Sequence, residues 1–408
     1  MSSLNTTESE PELVLLLECA KHYLRGTSQE RIQQLLQQPE LDWQNVLNLA
    51  RFHRLLPILY KVFSSNGPIE LPEAVLKELR DLQFRNITNN LVLLKELIGF
   101  LKILAAHDIR GISFKGPMTA MSAYGDLSLR TFSDLDVLVH PDDFLKLRPI
   151  ALRNGYQCDR LMAIPEQQCL KQLSSHEQAI YFQSQKEYSL LEPKSRTCLD
   201  IHQGILSKHF APLFDTRWIW QHTQTVDIGG HLILGVTPEV QVLVMVAQGA
   251  EDYWRQLGKL LDLAMLIDRH PDLDWHALLE LAETLDILPR LVLGMSLVQQ
   301  LYGLTLPDSV ARTIQRFPST QGLAQTVQRH ILVNKPSHQS TKLTMGLVLY
   351  QLRLMTTWKN RVHCVLTLMN PTLADIAAMP LPKPLFFVYY LLRPVRLVQG
   401  FVRRQPVH

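Results

Sequence analysis

Cysteine is scarce in this 408-residue chain and carries no pairing pattern. Cys19, Cys158, Cys169, Cys198 and Cys364 lie far apart, no Cys-x-x-Cys occurs, and the odd number argues against a complete disulfide framework. A reducing, cytoplasmic setting is expected. Long hydrophobic runs are also missing. Leu13 to Leu17 and Leu385 to Leu392 fall far short of the ~20 residues a helix needs to cross a bilayer. The acidic stretch from Ser2 to Glu12 lacks the basic start of a secretory signal. Charge of one sign is lacking as well: 41 Lys and Arg stand against 38 Asp and Glu, a formal net charge of +3, so there is no strong nucleic-acid signal. What the chain does have is apolar material, 46% by count, enough for a substantial core spread over two or three domains.

The pattern of that material changes along the chain. Residues 1–108 read as an N-terminal helical region, with Leu91, Leu94, Leu97 and Leu101 at helical spacing and Pro68 and Pro72 marking a break before a long helix over about 73–107. Residues 109–236 read as an α/β core. Ile109 to Phe114 forms a strand that opens into the turn Lys115-Gly116-Pro117, with Pro117 suited to a first helical position. A loop from Gly125 to Ser133 leads to a strand over Leu135 to Val139, and a helix from Pro141 closes at Asn154-Gly155. Further strands are expected at Ala179 to Gln183, Glu187 to Leu191 and Thr197 to Gln203, then a hairpin turning at Gly229-Gly230. Residues 237–345 read as helical, and 346–408 as a helical tail with a basic end. The expected class is therefore α+β, a small mixed sheet flanked by helical regions.

One unit is repeated. Leu41-Asp42-Trp43, followed by Leu47, Leu49, Ala50, Leu56 and Pro57, recurs as Leu273-Asp274-Trp275 with Leu279, Leu281, Ala282, Leu288 and Pro289. An aspartate at the N-cap, a tryptophan on the first turn and an apolar face describe a helical packing unit, not a site of chemistry.

The chemistry sits between Phe114 and Val139. In a strand, side chains alternate faces, so Asp134 and Asp136 point the same way. Two carboxylates so placed repel unless a cation lies between them, and as hard oxygen ligands they suit Mg2+ or Mn2+. Gly116 lets backbone amides approach a phosphate. Lys115, Arg130 and Ser133 are candidates to hold phosphate oxygens, Arg130 through its two-pronged guanidinium. Asp200, in Cys198-Leu199-Asp200-Ile201-His202, is the candidate third carboxylate, on the same strand face as His202. His202 and, less directly, His176 are candidates to position an acceptor or to support the acids. Each feature alone has an ordinary structural reading as a cap, a turn or an ion pair. Their order together points to metal and triphosphate.

At these residues the chain resembles the nucleotidyltransferase superfamily of the DNA polymerase β type. It is most similar to an uncharacterised bacterial nucleotidyltransferase family with a Lys-Gly turn, then Arg, then Asp-x-Asp, then an acid two residues before a His. Here these are Lys115-Gly116, Arg130, Asp134-x-Asp136 and Asp200-x-His202. Trp43 to Tyr60, Trp254 to Asp262 and the segment around Arg393-Pro394-Val395-Arg396 resemble that family too, so the likeness covers most of the chain. It implies a mixed sheet with helices on it, use of Mg2+, and transfer of a nucleoside monophosphate from a nucleoside triphosphate, ATP among them, to an acceptor the residues do not identify. The superfamily's usual Gly-Gly or Gly-Ser is Lys-Gly-Pro here, the gap to Asp134 is longer, and Pro117 removes one amide from the phosphate turn.

Two rivals remain for the site: a nucleotide-binding or scaffold protein of the same fold without turnover, and a glycosyltransferase using Asp-x-Asp. The tail from 383 to 404 joins Leu385, Phe386, Phe387, Tyr389 and Tyr390 to Lys383, Arg393, Arg396, Arg403 and Arg404. It is read as a helix docked on the helical region with its basic end in solvent. The alternative is a weak contact with the anionic inner face of a membrane.

Overall fold

The computed structural model describes residues 10–402, apart from 28, 66–70, 159–161, 208–209, 211–213, 334–344 and 383–384. The chain opens with five helices, α1 (Pro11–Arg25), α2 (Glu30–Leu36), α3 (Trp43–Phe52), α4 (Leu56–Ser64) and the long α5 (Glu73–Ala105). Strand β1 (Gly111–Ser113) leads through the turn at Gly116 into α6 (Pro117–Thr119), which runs on as a π-helical turn, Ala120–Tyr124. Then follow β2 (Asp134–Val139), α7 (Pro141–Arg153), α8 (Ile164–Gln172), α9 (Ser175–Ser184), β3 (Glu187–Leu191), β4 (Cys198–His202) and the hairpin of β5 (Thr223–Ile228) and β6 (His231–Val236), which turns at Gly229-Gly230.

The rest is helical. α10 (Pro238–Glu251), α11 (Leu257–Arg269), α12 (Trp275–Thr284), α13 (Leu288–Tyr302), α14 (Asp308–Arg316) and α15 (Pro318–Val333) precede α16 (Met345–Arg353), α17 (Trp358–Leu368), α18 (Leu373–Ala378) and α19 (Val388–Val402).

Local chemistry explains most of these boundaries. In the repeated unit Asp42 accepts from the amides of Gln44 and Asn45, and Asp274 from those of His276 and Ala277, so each caps its helix as expected. One expectation is overturned. Ala179 to Gln183 is not a strand but part of α9. Its aromatic and aliphatic content favours either state, and a capping box decides. Glu177 Oε2 accepts from the Ser174 amide at 2.9 Å, while Ser174 Oγ accepts from the Glu177 amide at 3.3 Å.

The four-stranded sheet has the order β1-β2-β4-β3. β1 and β3 run antiparallel to their neighbours, and the central β2 and β4 are parallel. The class is therefore α+β with a small mixed sheet and helical flanks, as expected. The two faces of the sheet differ. Leu135, Val137, Val139, Leu190, Leu199 and Ile201 belong to one buried cluster with α7 and the C-terminal half of α5. Ile112, Phe114 and Leu138 join the larger core, which unites α1, α3 and α4 with α10, α11 and α13. The helices α1, α3 and α4 thus pack with α10, α11 and α13 as one helical body against that second face. Alternation along β2 puts Asp134 and Asp136 on the same side as Leu138, toward this body.

In the tail, the Tyr389 hydroxyl donates to the Met379 carbonyl at 2.7 Å, and Arg393 and Arg396 pair with Asp375 at 3.0 and 2.7 Å. α19 is docked through these contacts, while Phe387, Tyr390 and Leu391 stay exposed. Lys383, Arg403 and Arg404 lie outside the described residues. Among the described residues no helix is long and apolar enough to cross a membrane.

Candidate active site

Register brings the acids together. β2 and β4 run parallel with Asp136 opposite Asp200 and Asp134 opposite Cys198. Residues paired across a parallel ladder share a face, so Asp134, Asp136, Asp200 and His202 form one polar patch, extended by Ser189 and Glu187, which lie opposite Asp200 and His202 on β3. The large apolar side chains on the reverse face pin both strands, and with them the spacing of the carboxylates.

Asp136 is the most enclosed of the acids, at 7% exposure. Its Oδ1 accepts from Lys115 Nζ at 2.6 Å and lies 2.9 Å from His202 Nε2. Burial alone would raise its proton affinity, but Lys115 and His202 outweigh that and hold the carboxyl well below the usual range. Burial likewise opposes the Lys115 charge, and Asp136 outweighs it, so the ammonium is held above the usual lysine range. His202 is buried behind Asp136, with Nδ1 near the Gly204 carbonyl and Glu187 Oε2 at 3.2 and 3.1 Å and its ring edge-on to Phe114. It orients Asp136 and does not line the cleft.

Asp200 behaves differently. Its Oδ1 accepts from Ser189 Oγ at 2.5 Å. Burial, together with the charges of Asp136 and Glu187, raises its pKa despite that hydrogen bond. Asp134 stands at the rim, half-exposed; among the described residues its carboxylate accepts no hydrogen bond and closes no ion pair, but its charge adds to the field that keeps Lys115 and Arg130 protonated.

Gly116 supplies the turn. Its φ of 52° with ψ of −118° is open to glycine and strained for any other residue, and the carbonyl it turns inward accepts from Arg130 Nη1 at 3.4 Å. Arg130, expected at a phosphate, has its Nε on Asp262 Oδ2 at 2.9 Å, and Tyr124 donates to the other oxygen of Asp262 at 2.8 Å. Burial presses against the Arg130 charge, and Asp262 more than restores it; burial first, then Asp262, pushes the Tyr124 hydroxyl well up.

These groups border a cleft of about 580 Å³ between the sheet and the helical body. Lys115, Gly116, Arg130, Asp134 and Asp136 line the sheet side, and Arg54, Gln248, Glu251, Lys259 and Asp262 come from the helices. The size and the mixture of apolar wall and convergent charge suit a small-molecule site. Four expected residues do not line the cleft: Ser133 is exposed just before β2, His176 is exposed in the first turn of α9, His202 is buried behind Asp136, and Asp200 stands opposite Asp136 on β4 without reaching the cleft wall. Arg54, Glu187, Ser189 and Asp262 were not read as site residues. The alternation of Glu187-Tyr188-Ser189 was a signal for a strand face, but only the register shows that this face adjoins Asp200.

The donor set fits a hard divalent cation in kind: three carboxylates on one face, with Asp200 destabilised by its neighbours' charge. Among the described residues, no three such side chains are already drawn to metal-ligand spacing. Lys115 is drawn onto Asp136 instead.

The cleft, then, is a small-molecule-sized hollow between a mixed sheet bearing aspartates and a helical body. The model of a family described as uncharacterised nucleotidyltransferase matches residues 39–303, and the chain belongs to that family. An antigenic nucleotidyltransferase-like protein from Paracoccidioides brasiliensis is similar in structure over 55% of this chain and 94% of its own, at 15% sequence identity and a TM-score of 0.28. No curated protein matches the chain.

Proposed function

We propose that the cleft transfers a nucleoside monophosphate from a nucleoside triphosphate to an acceptor hydroxyl, with the carboxylates arranged as in polymerase β-type nucleotidyltransferases. The observation that carries the reading is the parallel register of Asp136 with Asp200, on the strand face that also bears Asp134. In this reading Asp134, Asp136 and Asp200 hold Mg2+ or Mn2+, which when bound neutralises charge on the triphosphate. His202 and Lys115 keep Asp136 ionised and oriented. Gly116 keeps the turn open beside the phosphates, and Arg130 braces that turn through its carbonyl. Asp200 also takes up the proton of the acceptor hydroxyl. The acceptor oxygen bonds to the α-phosphorus as the bond from that phosphorus to its bridging oxygen breaks, and pyrophosphate leaves with the electron pair.

Pyrophosphate release from each of the four common nucleoside triphosphates, with Mg2+ or Mn2+ and a panel of hydroxyl acceptors, tests this. Asp136→Asn is expected to lower turnover at least about a hundredfold. Full turnover in that variant, correctly folded, refutes the assignment.

A second reading is favoured by one contact. The Lys115 ammonium meets the charge of Asp136 within the chain, as in a protein that binds nucleotide without turning it over. Stabilisation by nucleoside triphosphates with no pyrophosphate release from any of them would support it.

A further inference from the structure

Cations border the cleft on both sides, and most are already matched by carboxylates. Lys115 is paired with Asp136, Arg130 with Asp262, Lys259 with Asp252, Lys186 with Glu251 and Arg393 with Asp375. Arg54 is the exception among the described cleft residues. It is half-buried, lines the cleft, and its guanidinium makes no hydrogen bond or ion pair.

Its backbone is unusual as well. Arg54 forms the corner between α3 and α4 with a φ of 60°, in the left-handed region that few residues other than Gly, Asn and Asp enter readily. The internal repeat supplies a control. The equivalent corner, between α12 and α13, is formed by Asp286 with a φ of 56°. Aspartate tolerates the conformation, and its carboxylate is used there, accepting from Thr356 Oγ1 and Asn360 Nδ2. The corner geometry therefore belongs to the repeat, but the arginine does not. A less suitable residue stands at position 54 and makes no contact inside the chain that explains it.

The corner is also clamped. The Gly258 amide donates to the His53 carbonyl at 2.9 Å, the Leu257 amide to His53 Nδ1 at 3.2 Å, and Gln256 Nε2 to the Phe52 carbonyl at 2.8 Å. Gly258 approaches so closely that a Cβ there would lie 2.5 Å from the His53 oxygen. The guanidinium thus projects from a stiff mount into a cleft whose sheet side carries the Asp134 carboxylate, which accepts no hydrogen bond among the described residues. An unbonded guanidinium across from a rim carboxylate is what a cation-bound polyphosphate would meet.

We propose that Arg54 binds phosphate oxygens of the nucleoside triphosphate, the role for which Lys115 and Arg130 are already committed elsewhere. The inference rests on the nucleotidyltransferase reading. A planar guanidinium offers two parallel donors to a phosphate, which a lysine cannot reproduce.

The test titrates inorganic tripolyphosphate, with and without Mg2+, into the full-length wild type and into Arg54→Gly, Arg54→Asn and Arg54→Lys by calorimetry, alongside melting curves. Gly and Asn remove the side chain and accept the left-handed backbone, so both variants are expected to melt at or above the wild-type temperature. Both are expected to bind tripolyphosphate at least tenfold more weakly, with the Lys variant between them and the wild type. Binding within twofold of wild type in the Gly and Asn variants overturns the role of Arg54 and leaves the nucleotidyltransferase reading standing. A wild type that binds neither tripolyphosphate nor any nucleoside triphosphate overturns both.

Discussion

Replacing Asp262 by alanine removes one acceptor shared by two elements of the core. The carboxylate of Asp262, on α11, receives Tyr124 from the end of the π-helical turn and Arg130 from the loop before β2, at 2.8 and 2.9 Å. All three groups are enclosed, with side-chain exposures of 12% for Arg130 and 9% for Asp262. Without the carboxylate, the guanidinium keeps only the Gly116 carbonyl at 3.4 Å, and the Tyr124 hydroxyl loses its acceptor. Removing one partner of a buried pair costs about 3–5 kcal/mol, because the surviving charge is left in a poorly solvating interior. For one cooperative transition of 408 residues, with an unfolding entropy of about 2.1 cal/mol/K per residue, that is a fall in Tm of about 3–6 °C.

The same argument predicts recovery. Arg130→Met combined with Asp262→Leu removes both charges and is expected to regain most of the lost stability, since apolar replacements of buried pairs are often neutral. Calorimetric scans of the wild type, Arg130→Met, Asp262→Leu and the double close a mutant cycle with a coupling of at least about 2 kcal/mol. A loss below about 1 kcal/mol for Asp262→Ala, or a double variant that loses the sum of the singles, would refute the claim that Arg130 ties the Gly116 turn to the helical body. Arg130 would then be free to serve a ligand, as its sequence position suggested.

Two further outcomes follow from the same charges. Buried His53 has its pKa lowered from 6.5 to about 4 by desolvation, so between those values the unfolded chain takes up a proton that the folded chain refuses. Stability is therefore full above pH 6.5, falls by about 3 kcal/mol toward pH 4 and levels off below it; His53→Asn, measured by urea denaturation across that range, should flatten the slope, and an unchanged slope would exclude His53 as its source. Lys115→Gln removes the ammonium that competes with a metal for Asp136, so Mn2+ should bind at least about tenfold more tightly, about 1.4 kcal/mol. Weaker Mn2+ binding in that variant, followed by calorimetry, would show that the lysine does not occupy a metal position.

What the sequence could tell depended on how local the cause was. β3 was legible to the residue because Glu187-Tyr188-Ser189-Leu190-Leu191 alternates, and the Gly229-Gly230 turn because its residues determine its geometry. α9 was not legible as a helix within Ala179 to Gln183, which has no strong periodicity; its signal is the capping box at Ser174 and Glu177, before that stretch. The acids of the site were legible as a pattern, since Asp134 and Asp136 share a face by strand geometry alone. That Asp200 lies beside Asp136 could be expected but not shown, because parallel register depends on the crossover through α7, α8 and α9. The partners of the cations were not legible at all. Lys115 and Arg130 looked equivalent in sequence, yet one neutralises an acid of the proposed site and the other is held by a residue 132 positions away.

The repeat separates the positions that packing fixes from those it leaves open. Both copies use an aspartate cap, a tryptophan on the first turn and a left-handed corner before a proline-started helix. Packing constrains the apolar face and the cap in each copy, which is why those positions match and why the repeat was visible in sequence. The corner residue is constrained only in its backbone, so its side chain can differ. In the second copy it is Asp286, which anchors the start of α17. In the first it is Arg54, whose guanidinium is directed to the cleft and bound by nothing in the described chain. A left-handed arginine costs on the order of 1–3 kcal/mol relative to a tolerant residue. A protein that needed only the corner would lose nothing by placing aspartate or asparagine there twice, and the phosphate contact proposed for Arg54 would account for the difference between the two copies.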